Sequence, residues 1–74
     1  PDYVFSKKYT LPGLNEVEDF IKKNNRLPGI PSAKQLETNG LNIGEMQKLQ
    51  MEKIEELTLY IIELKKEIEK LKAK

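Results

Sequence analysis

The sequence contains no cysteine, no histidine and no tryptophan, and its net charge is only +1. Without cysteine there is no disulfide scaffold, no Cys-ligated zinc finger and no thiol nucleophile; without histidine the commonest general base and metal ligand is missing. The 13 basic and 12 acidic residues nearly cancel, so the chain carries no basic footprint for nucleic acid or an acidic membrane surface. No apolar run approaches the ~18 residues that span a bilayer. Seventy-four residues allow one small domain at most. These absences point away from enzymes, cofactor proteins and membrane spans, and we expect no cofactor, no metal, no nucleic acid and no catalytic residue. The chain starts at Pro1 without Met and reads as a piece of a longer protein.

What remains is a polar chain with clustered apolar residues, 34% charged and 38% hydrophobic, the balance of helical and coiled-coil modules rather than of disordered tails. Residues 1 to 14 hold Tyr3, Val4, Phe5 and Tyr9 ahead of Pro12-Gly13, which predicts a short strand or extended strap ending in a turn. Asn15 with Glu18 three positions on is a capping-box pattern. It opens a helix over about 16 to 24, with Leu14, Val17, Phe20 and Ile21 on one face and Asn24-Asn25 supplying a left-handed stop. In Arg26-Leu-Pro-Gly-Ile-Pro-Ser the prolines bar a helix over 27 to 31, with Leu27 and Ile30 as anchors. Ser32 with Gln35 repeats the capping pattern for a second helix of about six residues closed by Asn39-Gly40. Asn42 with Glu45 opens a third, and beyond Gly44 neither Gly nor Pro occurs.

This third helix, Ile43 to Lys74, would be about 48 Å long, too long for the preceding 42 residues to bury. Within it Ile54, Leu57, Ile61, Leu64, Ile68 and Leu71 alternate spacings of three and four. Isoleucine therefore falls at every a position and leucine at every d position over three heptads, which is a coiled-coil seam. A parallel arrangement brings Glu67 at g to Lys72 at e of a neighbour, whereas an antiparallel one would bring Lys65 and Lys72 together. Ile at a with Leu at d favours a dimer. Against that, the segment LTLYIIEL, with Leu59, Tyr60 and Ile62 off the seam, is apolar around most of its circumference and calls for a further cover. Val4, Phe5, Phe20, Leu27, Ile30 and Tyr60 are the expected outer layer, folded down on the bundle within a protomer or onto a neighbour. Gln47 and Gln50 occupy a and d upstream, so either the coil starts near Ile54 or the glutamines form polar layers; a helix that splays there would bring Met46, Leu49 and Met51 to the globular part. The expected organisation is a strap-helix-helix region over 1–42 packed on a coiled-coil helix over 43–74.

Chemical alternatives are weak. Ser6 beside Lys7 is the surface pattern of a solvated strand, and Ser32 is explained as a cap. Glu52, Glu55, Glu56, Glu63, Glu67 and Glu69 read as outer-face charges interleaved with Lys. The lysine-rich end from Lys65 contains Glu67 and Glu69 and continues the heptad, as suits the negative end of a helix dipole. The helix pair around Asn39-Gly40 has the spacing of a helix-turn-helix, but the recognition face would offer Gln47 and Lys48 while the chain's only arginine, Arg26, lies elsewhere. A dimeric DNA-binding module, and a docking module for a different protein through LTLYIIEL, are the alternative readings.

The strings YTLPGLNEVEDFIKKNNRLPGIPSAKQLETNG, LNIGEM and KIEELTLYIIELKKEIE resemble the extreme C-terminal module of bacterial tail-fibre-like and cell-surface proteins, over nearly the whole chain. The arrangement is also distantly similar to the C-terminal intramolecular chaperone domain of phage tail fibres and endosialidases, which assembles as a trimer around a terminal helical bundle. The resemblance implies a homotrimer, a place at the end of a fibrous or adhesin-like protein outside the cell or on its surface, and a role in folding the upstream fibre of the same chain. The sequence departs from the family pattern at Arg26, where the link commonly carries His, and at Gln50, where it carries an apolar residue. The chaperone family cleaves itself from its fibre at a junction Ser; this chain starts with Pro1, and no catalytic residue is carried over.

Overall fold

A computed structural model describes residues 1–40 and 42–73. They form a 3-10 turn (Asp2–Phe5), helix α1 (Leu14–Asn24), helix α2 (Ala33–Asn39) and the long helix α3 (Ile43–Lys72), with no strand among the described residues. The molecule measures 53 × 28 × 18 Å. Its long dimension reflects α3, of which only the first part is flanked by the rest of the chain.

The expected N-terminal strand is a 3-10 turn instead. Val4 N–H donates to the Pro1 carbonyl at 3.4 Å and Ser6 N–H to that of Tyr3 at 3.1 Å. A strand needs a neighbouring strand to pair its backbone groups, and none is offered here. The turn closes its own hydrogen bonds and lets Val4 bury against α3, where it is 2% exposed.

Helix α1 also starts earlier than the capping pattern predicts. Asn15 and Glu18 do not cap it; Gly13, in extended conformation, is its N-cap without a side-chain bond, and Val17 N–H donates to the Gly13 carbonyl at 3.0 Å. The Pro12-Gly13 turn thus feeds straight into the helix. The earlier start places Leu14 on the face of Val17 and Ile21, the i, i+3, i+7 row that turns toward α3. The predicted stop is present: Asn25 sits left-handed at φ 54°, its N–H on the Ile21 carbonyl at 2.8 Å.

After α1 the chain makes a tight turn over Leu27-Pro28-Gly29-Ile30, with Ile30 N–H on the Leu27 carbonyl at 3.2 Å and Gly29 at φ 80°. Proline at the second position and a positive φ at the third define a type II turn. Ser32 and Gln35 form the complete capping box of α2: the Ser32 hydroxyl accepts from Gln35 N–H at 3.1 Å, and the Gln35 side chain accepts from Ser32 N–H at 2.8 Å. Asn42 caps α3 by accepting from Glu45 N–H at 3.0 Å. Helix α3 runs to Lys72 with Ala73 as its C-cap; Lys74, the expected last helical residue, lies outside the described residues.

Candidate functional site: two flanks of one long helix

Helix α3 has two unlike flanks. One is covered by the chain's own N-terminal half and is polar at its centre. Glu56 is only 5% exposed, yet it is a carboxylate with both oxygens satisfied. Its Oε2 accepts from the Tyr9 hydroxyl at 2.5 Å and its Oε1 from Lys53 Nζ at 2.9 Å. A buried charge that is paired and hydrogen-bonded is tolerated where a bare one is not. Beside it Tyr3 donates to Glu52, and Lys53 stands 3.7 Å from the Glu52 carboxylate. The Pro1 nitrogen lies 3.1 Å from Glu55 Oε1. The rings of Tyr3 and Tyr9 meet at 5.9 Å, tilted by 45°, within the centroid separations at which aromatic pairs attract. Further along, the Tyr60 hydroxyl donates to the Pro12 carbonyl at 2.6 Å and anchors the turn ahead of α1.

These contacts hold all three tyrosines in their neutral form. The Tyr3 hydroxyl is pushed up to about 12, first by its hydrogen bond to Glu52 and then by loss of solvent. Tyr9 is raised further, chiefly by burial and next by its bond to Glu56, and Tyr60 is raised by burial and the charge of Glu56. In each case a nearby carboxylate disfavours a second negative charge.

Glu52 and Glu56 therefore are not the outer-face charges of a coil, as their spacing suggested. They are the acceptors that fasten the N-terminal segment, through Tyr3 and Tyr9. Their i, i+4 spacing is visible in the sequence, but their partners lie nearly fifty positions away and leave no local sign.

The other flank is the heptad seam. Ile54, Leu57, Ile61, Leu64, Ile68 and Leu71 line one strip of α3, and their exposure runs from 51% at Leu64 to 67% at Leu71. The chain's own N-terminal half covers the flank that borders this strip at Leu57 and leaves the strip open. Between Ile61 and Lys72 the strip forms a shallow groove lined by Ile61, Leu64 and Ile68, with Lys65, Glu69 and Lys72 at its edges.

The six residues expected in an outer layer separate into three pairs within the protomer. Val4 and Tyr60 are buried, Tyr60 at 8% exposure. Phe20 and Ile30 are half-buried and linked through Arg26, whose guanidinium lies 5.4 Å from the Phe20 ring and whose Nε donates to the Ile30 carbonyl at 3.0 Å. Phe5 and Leu27 remain exposed. Upstream on α3, Met46 and Leu49 are half-buried while Met51 is exposed. The cover over LTLYIIEL reaches Leu59 and Tyr60 and stops short of Ile62.

Comparison with protein-family models, with curated proteins and with solved structures found no match. Among the described residues no helix is long and apolar enough to cross a membrane. The functional reading therefore rests on the two flanks of α3.

Proposed function

We propose that the chain is a self-association module in which α3 helices of identical copies run parallel and close the seam of Ile54, Leu57, Ile61, Leu64, Ile68 and Leu71 as a trimeric coiled coil. The observation that carries this reading is the coincidence of a strict 3-4 apolar repeat with the strip that the chain's own fold leaves uncovered. Each seam residue keeps half or more of its surface open, and burying that remainder contributes on the order of 1 kcal/mol apiece. Isolated helices are marginal in water and gain most of their stability from packing an apolar face, so association and full stability of the distal half of α3 belong together. Three copies rather than two is the stoichiometry suggested by the resemblance to the tail-fibre-like module, and parallel strands allow the Glu67–Lys72 pairing.

On this reading the module brings identical C-termini together, fixes their register and nucleates folding of an upstream fibre of the same chain, at or outside the cell surface. A clamp of this kind converts an intermolecular search into a nearly intramolecular one. The strap tied to Glu52 and Glu56 by Tyr3 and Tyr9 stiffens the proximal half of α3, so the seam is presented in one orientation.

Light scattering across a dilution series tests the proposal. Three protomers at high concentration, falling to one on dilution, is the expected result. Ile61→Asp should leave only the protomer, because each copy would bury an unpaired charge at one layer. A protomer mass at every concentration, or an unchanged oligomer for Ile61→Asp, would overturn the reading. A dimer that binds duplex DNA with steep salt dependence would replace it with the helix-turn-helix alternative.

A further inference from the structure

We infer that the assembly interface is wider than the coil seam: Ile62 of one copy inserts into the apolar groove between α1 and α3 of the next. This rests on the parallel self-association proposed above. The groove is lined chiefly by Leu14, Val17, Ile21, Leu27, Leu57 and Tyr60 and has a volume of about 190 Å³, several times the roughly 30 Å³ that a water occupies in the liquid. It is therefore roomy enough for an aliphatic side chain, and three of its walls, Leu14, Ile21 and Leu27, are exposed in the protomer.

The occupant follows from three observations. First, the groove and the seam share Leu57, a d residue that also lines the groove, so a helix seated on the seam lies against the groove's open edge. Second, the positions on α3 decide which edge of the neighbour arrives there. The groove lies on the side of Lys53 and Tyr60, both g positions, and in a parallel coil a g residue faces the e residue five positions further along the partner. The stretch opposite Lys53 to Tyr60 is thus about residues 58 to 65, and Ile62, at b, stands beside the e position on that edge. Ile62 lies off the seam and is 42% exposed. Helical side chains lean toward the N-terminus, which aims it back toward the groove. Third, the seam alone is small. Ile54 to Leu71 spans about 27 Å, and a helix about 10 Å wide gives a projected footprint of about 270 Å² per partner, against roughly 800 Å² per partner in a standard stable interface. The apolar surface continuous with the seam, which would make up part of that difference, is this groove.

The test uses the full 74-residue chain. Equal amounts of isotope-labelled and unlabelled protein are mixed, and filtered NMR spectra record only contacts between copies. Contacts from the Ile62 methyls of one copy to the Val17 and Ile21 methyls of another are expected, together with contacts between Leu57 and Leu64 methyls across the seam. In a parallel dilution series Ile62→Asn should raise the concentration of half-association by about tenfold or more while the protomer's circular dichroism is unchanged. Seam contacts without groove contacts, or an Ile62→Asn midpoint equal to the parent's, would overturn the insertion and leave the coil standing. A chain that stays a protomer at all concentrations would overturn both.

Discussion

The Tyr60 hydroxyl donates to the Pro12 carbonyl at 2.6 Å across 48 positions of sequence. This bond ties the turn ahead of α1 to the middle of α3, and it sits on the flank of Tyr60 that faces the chain's own N-terminal half. Tyr60→Phe keeps the ring and removes the donor, leaving the Pro12 carbonyl without its partner. The expected cost is about 1 kcal/mol, read as a lower urea midpoint at fixed protein concentration, with the associated mass unchanged. A loss of association instead would show that the Tyr60 hydroxyl acts between copies.

Glu56 joins Tyr9 and Lys53 in the least exposed polar cluster of the protomer. Glu56→Ala removes the acceptor of Tyr9 and the nearer of the two carboxylates beside Lys53, and the expected loss is about 1–3 kcal/mol. Glu56→Gln should cost less, since its carbonyl still accepts from Tyr9. Equal stability of the two variants in urea would mean that the cluster is held by packing and not by its hydrogen bonds.

Gly29 holds φ 80° at the third position of its turn, and a Cβ there would stand 3.6 Å from Lys53 Nζ. The space is sufficient, so the obstacle is the backbone itself. Gly29→Ala should destabilise by about 1–2 kcal/mol, the penalty for a left-handed residue with a side chain. Circular dichroism melts of parent and variant would measure it; equal melts would indicate a turn that relaxes to another type.

The tyrosines make stability fall in alkali. Their ordinary value is 10.0, and Tyr3 is pushed up to about 12 by its bond to Glu52 with Tyr9 and Tyr60 raised in the same direction. Between pH 10 and 12 the unfolded chain binds fewer protons than the folded one, so the stabilisation present below pH 10 is lost as pH rises through this window. Tyrosinate absorbance should titrate late, and the urea midpoint should decline over the same range. Tyr3→Phe should remove the Tyr3 share of that decline. Ordinary tyrosine titration in the parent protein would show that the strap is not closed.

The short-range features were legible in the sequence because each is written by residues within one turn of each other. Ser32 and Gln35, Asn42 and Glu45, and the left-handed Asn25 each satisfy backbone groups locally, and the prolines of residues 27 to 31 bar a helix there. Where two local solutions competed, the sequence pointed to the wrong one: Asn15 offers a cap for α1, but the Pro12-Gly13 turn starts the helix earlier and adds Leu14 to its packed face. The N-terminal aromatics suggested a strand, and without a partner strand the segment satisfied itself as a 3-10 turn.

By itself the sequence determined a long terminal helix with a 3-4 apolar stripe, since helix periodicity follows from 3.6 residues per turn and needs no knowledge of the fold. Which flank of that helix the chain covers was decided only in three dimensions. Tyr3, Tyr9 and Pro12 meet Glu52, Glu56 and Tyr60 across nearly fifty residues, and such contacts depend on where the intervening turns aim the chain. That choice buries Glu56 beside Tyr9 and leaves the isoleucines and leucines of the seam open.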